Sequence, residues 1–229
     1  MHRSPEVIQI GTLAALPRQM STLLIGVDGP GGAGKSIFAR ALASVLPGDV
    51  SVVEMDDFFR PSMERQSGDP RDKPIGADFD WQRLREQVLQ PLAHEDTAQY
   101  QRYDWDLDRL AEWHAVAPGG IVIVEGVYTT RAELAAYYDY TIWMECPRAT
   151  RLARGIARSG EAIRPVWERD WMVAEDLYIA AHAPDERATL VIDSSGVGAH
   201  DRRREVVVLR RGTVAGETAE QDRLRGIES

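Results

Sequence analysis

Short apolar runs alternate with amphipathic stretches along most of this chain. Thr22–Val27, Val50–Met55, Ile121–Val124, Tyr140–Met144 and Leu190–Ile192 are each a few residues long and largely apolar. Such runs predict strands buried on both faces, as in a parallel sheet. Between them, Ser36–Leu42 has apolar positions at helical spacing and stops at Pro47-Gly48. Asp80 reads as the N-cap of a helix through Trp81, Leu84 and Val88, ended by Pro91. Further helices are predicted around 131–138, over 149–158 and over 166–182. The alternation predicts a three-layer α/β/α sandwich, with a mainly parallel five-stranded core sheet covered on both sides.

The margins of the pattern are less regular. Val7, Ile8, Ile10, Leu13 and Leu16 suit a short helix packed on the domain. Residues 60–78 carry Pro61, Gly68, Pro70, Pro74 and Gly76 with mixed charge. They predict a long mobile loop, of the kind that is usually functional inside a compact domain. Residues 98–105 alternate loosely and predict a hairpin or strand outside the main sheet. Glu205–Leu209 reads as an edge strand, and residues 212–229 as a polar, frayed tail. The expected organisation is one domain over 1–229, with a core over about 20–196, a lid over about 149–170 and a C-terminal extension over about 197–229.

Composition narrows the chemistry. The 229 residues carry a formal net charge of −9, a poor match for a nucleic-acid backbone. The Arg202-Arg203-Arg204 triplet is flanked by Asp201 and Glu205 and reads as a solvated turn. Cys146 is the only cysteine, which excludes an intrachain disulfide and a cysteine zinc site. His2, His94, His114, His182 and His200 lack metal-ligand spacing. No apolar stretch approaches the roughly 18 residues of a membrane span. No signal-peptide pattern opens the chain, so the expected location is the cytoplasm and the expected partners are small molecules.

Residues 29–36 read Gly-Pro-Gly-Gly-Ala-Gly-Lys-Ser, the phosphate-binding P-loop pattern. A predicted strand precedes it and a predicted helix follows, the context that gives the pattern meaning. Glycines let backbone N–H groups turn inward around an anion, and the helix N-terminus adds partial positive charge. Lys35 supplies a mobile cation for β- and γ-phosphates and Ser36 a hydroxyl for Mg²⁺. Lys35 is one of only two lysines, the other being Lys73. The chain has no asparagine, which excludes the Asn-Lys-x-Asp element of guanine-specific P-loop proteins.

Ligands of open α/β sheets bind beyond the carboxyl ends of the strands. That places Asp28, the Asp56-Asp57 pair and Glu125 on the rim of interest. Asp56 and Asp57 point to opposite sides if the chain stays extended, so one of them faces the phosphates. A carboxylate there can accept a hydroxyl proton or hold Mg²⁺ through water. Glu125 ends the Ile-Val-Ile-Val strand in a Walker-B-like arrangement. Arg151, Arg154 and Arg158 share a predicted helix face, either as a solvated surface or as cations that swing over phosphates. Trp167, Trp171 and Tyr178 share another face and read as core or lid packing. Asp193-Ser194-Ser195 follows the last core strand, as a plain loop or a source of adenine contacts.

Taken in order over roughly 22–195, these segments resemble the uridine kinase/phosphoribulokinase-like group of P-loop kinases. Gly26–Ser36 is similar to that group's P-loop. Met55-Asp56-Asp57-Phe58-Phe59-Arg60 resembles its Asp-x-Phe-Tyr segment, and the Asp-Phe-Phe wording is also close to nicotinamide riboside kinases. Asp78-Phe79-Asp80-Trp81 and Tyr103-Asp104-Trp105 resemble its acceptor segments. Val124-Glu125-Gly126 and Thr150-Arg151-Leu152-Ala153-Arg154 match its Glu-Gly and lid patterns. Where uridine kinases follow Tyr-Asp-Phe with a histidine-containing stretch, this chain has Asp106-Leu107-Asp108-Arg109, and the lid beyond Arg158 also departs from theirs.

The resemblance implies a P-loop NTPase fold with a helical lid, and a kinase using ATP and Mg²⁺ on a small-molecule hydroxyl acceptor. ATP would sit on Gly29, Pro30, Gly31, Gly32, Ala33, Gly34, Lys35, Ser36 and Ile37. Asp56, Lys35, Arg151 and Arg154 would carry the chemistry, with Asp56 as the base. Ser36, Asp56 and Glu125 would serve the metal. Asp56, Phe59, Asp80, Tyr103, Asp104, Arg109 and Glu125 would shape the acceptor pocket. Uridine, nicotinamide riboside, a sugar, pantothenate or an antibiotic remain alternative acceptors. A P-loop ATPase or nucleotide-gated regulatory protein is the alternative of another class.

Overall fold

The computed structural model describes residues 6–15, 20–196 and 204–212. Leu16, Arg202, Arg203 and the tail from 213 onward lie outside the described residues. The five apolar runs form five parallel strands. They are β2 (Leu23–Asp28), β3 (Val50–Glu54), β6 (Ile121–Glu125), β7 (Tyr140–Glu145) and β8 (Leu190–Asp193), in the order β3-β6-β2-β7-β8. β2 and β6 are buried throughout, as unbroken apolar runs require in a sheet covered on both faces. Alternate residues feed two cores. Leu23, Ile25 and Val27 join Phe38, Leu42 and Ile123 on one face, while Leu24 joins Val53, Leu84, Val88 and Tyr178 on the other.

Two antiparallel strands extend this sheet to seven. β9 (Glu205–Arg211) pairs with β8, and β1 (Glu6–Gln9) pairs with β9 at the outer edge. The helix expected within residues 1–20 is thus, where described, a strand followed by a 3-10 turn over Ile10–Ala15. Ile8, Ile10 and Leu13 still reach the core, because a strand leading into a tight turn can deliver them there as a helix face would.

Helix α1 (Lys35–Val45) buries Phe38, Ala39 and Leu42 against the sheet. α2 (Trp81–Leu84) starts at its Asp80 cap and continues through a π-helical turn at Arg85–Leu89 into α3 (Gln90–Ala93). Pro91 therefore lies within the helical stretch, where the widened turn accommodates a residue with no N–H to donate. The helix expected around 131–138 is reduced to a 3-10 turn at Ala135–Tyr137. That segment is pinned at both ends. Thr130 N–H donates to Asp28 at 2.8 Å, and the Asp139 carboxylate accepts from Leu24 N–H at 2.9 Å. Arg131 is drawn sideways into a bidentate pair with Glu133.

The hairpin of β4 (Ala98–Asp104) and β5 (Arg109–Val116) forms a separate two-stranded sheet. The lid begins with α4 (Arg148–Ser159) and α5 (Arg164–Val166). A second π-helical turn (Trp167–Trp171) then leads into α6 (Met172–His182) and the short α7 (Pro184–Arg187).

The chain turns sharply after β6. Gly126 has φ of +148°, and a Cβ there would lie 2.2 Å from the Met55 Cβ. Gly126→Ala should destabilise the protein by about 2–4 kcal/mol, through backbone strain and overpacking together. Urea unfolding with an unchanged denaturant slope checks this.

Candidate active site

Three parallel strands end on one rim. Val27 of β2 and Glu54 of β3 both stand in register with Glu125 of β6. The glycine loop leaves β2 and turns into α1 at Gly34, which has a left-handed φ of +93°. Gly32 is also left-handed, and a Cβ on it would meet the Arg151 carbonyl oxygen at 2.6 Å. Glycine is required there because the lid helix packs directly on the loop. Lys35 is only 8% exposed, and its Nζ donates to the Pro30 carbonyl at 3.1 Å.

Asp28 is fully buried beneath the loop. Its carboxylate accepts from Gly29 N–H, Thr130 N–H, the Thr130 hydroxyl and the Tyr178 hydroxyl, at 2.7–2.9 Å. Burial pushes its pKa up, against the pull of these donors and of Lys35.

The rim acids meet the loop as the strand ends suggested. The Ser36 side chain lies near enough to Glu125 to influence its carboxyl. Burial raises the Glu125 carboxyl, the nearby Ser36 hydroxyl and Lys35 lower it, and Asp56 and Glu54 raise it further. Asp56 remains accessible to solvent, yet protein crowds it enough for desolvation to raise its pKa, opposed by Lys35 and Arg158. Lys35, Ser36, Asp56 and Glu125 therefore form one electrostatic cluster, with the exposed Arg158 guanidinium acting on it from the lid. Ile37, next in the motif, is turned out to solvent.

Asp56 and Asp57 part company for a reason other than extended geometry. They lie on a 3-10 turn, Met55–Phe58, which sends them to different sides. Asp57 accepts from the Tyr100 hydroxyl at 3.1 Å, and its carbonyl accepts from Arg83. Arg83 also donates to the Gln101 carbonyl at 2.6 Å, tying α2, the acidic turn and the hairpin together. Burial raises the Asp57 pKa to about 6, in spite of the Tyr100 bond.

The residues expected around the acceptor form a wall beside Asp56. Asp80 accepts from Arg83 N–H at 3.1 Å and pairs with Arg60 at 3.0 Å. Phe59 packs among Phe79, Tyr103 and Trp105, with the Arg65 guanidinium 4.7 Å from its ring centre. The Tyr103 hydroxyl donates to Asp108 at 2.6 Å. Asp104 turns back on its own hairpin, accepting from Asp106 N–H, Leu107 N–H and Arg102. Arg109 stands opposite it in the ladder and is exposed.

Asp108, which sequence reasoning did not single out as a tie, also accepts from the Ser62 N–H and hydroxyl. Those bonds and Tyr103 hold its pKa down to about 2. Residues 60–78 are thereby fastened to the hairpin tip, with 3-10 turns at Ser62–Glu64 and Pro70–Asp72.

The three lid arginines separate. Arg151 is buried and pairs with Glu175 at 2.8 Å. Arg154 donates to the Gly32 carbonyl at 3.3 Å and the Ser195 carbonyl at 2.9 Å. Arg158 alone of the three is felt at Asp56. Glu175 was missed in the sequence. Its signal was an acid at helical spacing from Trp167 and Trp171, on a stripe otherwise read as packing.

The Phosphoribulokinase / Uridine kinase family matches residues 24–176. The chain belongs to that family. Membership makes it a P-loop kinase, a phosphotransferase of the ATP-using kind. Among curated relatives, a uridine kinase from Alkaliphilus metalliredigens is 26% identical over 186 residues, covering 76% of this chain and 88% of the relative. A solved structure described as a possible uridine kinase from Bacillus stearothermophilus aligns with a TM-score of 0.65 at 22% identity, over 80% of this chain and 94% of that one. D-glycerate 3-kinase from Cryptococcus neoformans aligns at 0.51 with 14% identity, over 81% and 93%. Both structures support the same fold. No helix among the described residues is long and apolar enough to cross a membrane.

The raised Asp57 pKa has a definite sign. Its contribution to stability is fully present below the unfolded value, near 4, and is lost as pH rises through about 6. Asp57→Asn should melt higher than the parent protein at pH 8, with the gap closing by pH 4. Melting curves across that range check it.

Proposed function

We propose that this family member transfers the γ-phosphoryl group of ATP to a hydroxyl of a small molecule, in the manner of a uridine kinase. The observation that carries the reading is the convergence of Lys35, Ser36, Asp56, Glu125 and Arg158 beside a separate polar and aromatic wall. A P-loop ATPase needs the first cluster but has no use for the second.

The residues present fit ATP and Mg²⁺. Gly34 has left-handed backbone and faces open space, so no Cβ narrows the loop where it enters α1. Ser36, Glu125 and Asp56 offer the hard oxygen donors that Mg²⁺ prefers. Bound there, the metal would neutralise charge on the β- and γ-phosphates. Lys35 would exchange its Pro30 carbonyl for phosphate oxygen. Asp56 would orient the acceptor hydroxyl and take its proton. The desolvation that raises its pKa makes it a better base than a free aspartate. Arg158 would offset charge on the transferring group from the lid side.

Asp80, Phe59, Tyr103 and Arg109 would frame the acceptor, with Asp104 shaping the hairpin beneath them. The names of the relatives bring uridine forward as the first acceptor to try. Nicotinamide riboside, sugars, pantothenate and aminoglycosides belong beside it, since the Asp106–Arg109 stretch departs from the uridine kinase pattern. ADP release from ATP·Mg²⁺ across that panel, with product mass, tests the reading. One acceptor should raise turnover well above basal hydrolysis and gain a single phosphate. Rapid hydrolysis indifferent to every acceptor would favour the ATPase. Asp56→Asn should lower kcat by about a hundredfold or more while leaving ATP binding nearly intact. Full turnover in that variant would remove Asp56 as the base.

A further inference from the structure

We infer that Glu175 is a positioning residue of the phosphate loop, and that Arg151 acts through Glu175 instead of on the transferring phosphoryl group. The inference rests on the kinase reading above, but its test does not need the acceptor.

The two oxygens of Glu175 have different partners. Oε1 accepts from the Gly31 N–H at 2.9 Å, and Oε2 pairs with Arg151 at 2.8 Å. Both side chains are withdrawn from water, each residue being 5% exposed. Gly31 is fitted closely to this contact, since a Cβ on it would lie 2.7 Å from Oε1 and 3.2 Å from the Trp167 ring. Trp167 in turn lies against Gly155 of α4, where a Cβ would come within 2.4 Å of the ring. The first half of the loop is thus seated between α4 and α6, with Glu175 bonded to its backbone.

That seat has an electrostatic difficulty. Burial raises the Glu175 pKa, and Lys35 leads the opposing influences, ahead of the Gly31 bond and Arg151. A carboxylate that senses Lys35 also senses the phosphates Lys35 would hold. Unpaired, it would repel them in a medium of low dielectric. Paired with Arg151, it can hold Gly31 as a nearly neutral unit. Arg151 Nε is buried and finds no acceptor, so the guanidinium is not fully satisfied and a direct phosphate contact is the competing assignment.

The two assignments predict opposite double-variant behaviour. ATP·Mg²⁺ binding is measured by titration calorimetry, and kcat at saturating ATP with the best acceptor or as basal hydrolysis. The proteins are the parent, Arg151→Met, Glu175→Gln and the double variant. Arg151→Met leaves a buried carboxylate unpaired, so its ATP affinity should fall by roughly tenfold or more. Glu175→Gln keeps an oxygen for Gly31 and should bind within about threefold of the parent. The double variant should recover to within about threefold of the parent in affinity, a strongly non-additive cycle, with little change in kcat. If the double variant stays as weak as Arg151→Met, or both lose kcat at saturating ATP, Arg151 acts on the nucleotide and the inference is wrong. Melting curves confirm folding, and Arg151→Gln runs the same cycle if the methionine variant does not fold. A parent protein that binds ATP but phosphorylates nothing would sink the kinase reading, and the order of affinities would still judge Glu175.

Discussion

A carboxylate with no access to water fixes the start of the phosphate loop. Asp28 collects Gly29, the two Thr130 donors and the Tyr178 hydroxyl. These belong to the loop, the turn after β6 and helix α6, which are far apart in sequence. Burying a charge is costly unless donors surround it. Asp28 therefore makes the three elements depend on one another. If α6 shifts, Tyr178 leaves and the buried carboxylate loses one of its four donors. The rim chemistry stands on this arrangement, since Lys35 and Ser36 can reach Asp56 and Glu125 only if the loop leaves β2 in the right direction.

Much of this was legible because it is local. The strand–glycine–helix order around residues 29–36 carries its own geometry, and apolar runs ending in acids mark the rim. Loose alternation over 98–105 also marked β4, while its partner β5 went unread. The missed features depend on partners distant in sequence. Residues 131–138 have a helical composition, but Asp28, Leu24 and Glu133 claim their ends and side chains. The edge strand β1 exists because β9 offers it a ladder. Arg151 and Arg158 look alike in sequence, and Glu175 together with the position of Asp56 distinguishes them.

The proposed acceptor side is built differently from the phosphate loop. Around the loop, backbone and glycine clearances dominate. Around the wall, long side chains are engaged with one another: Arg60 with Asp80, Ser62 and Tyr103 with Asp108, and Arg102 with Asp104. Exposed Trp105 lies at the edge of that group, stacked on Phe59. The wall takes its shape from side-chain identity at a hairpin tip and one loop. Its side chains can change with few substitutions while the core sheet stays as it is.

The close fit of Gly32 beneath the Arg151 carbonyl has a thermodynamic consequence. At Gly32 there is no room for even a Cβ between loop and lid helix, so at that point a shift of one presses on the other. A nucleotide that orders the loop must also alter the freedom of α4. By reciprocity, a ligand of α4 whose affinity the nucleotide changes must change nucleotide affinity by the same factor. Loop and lid are one binding equilibrium seen from two ends.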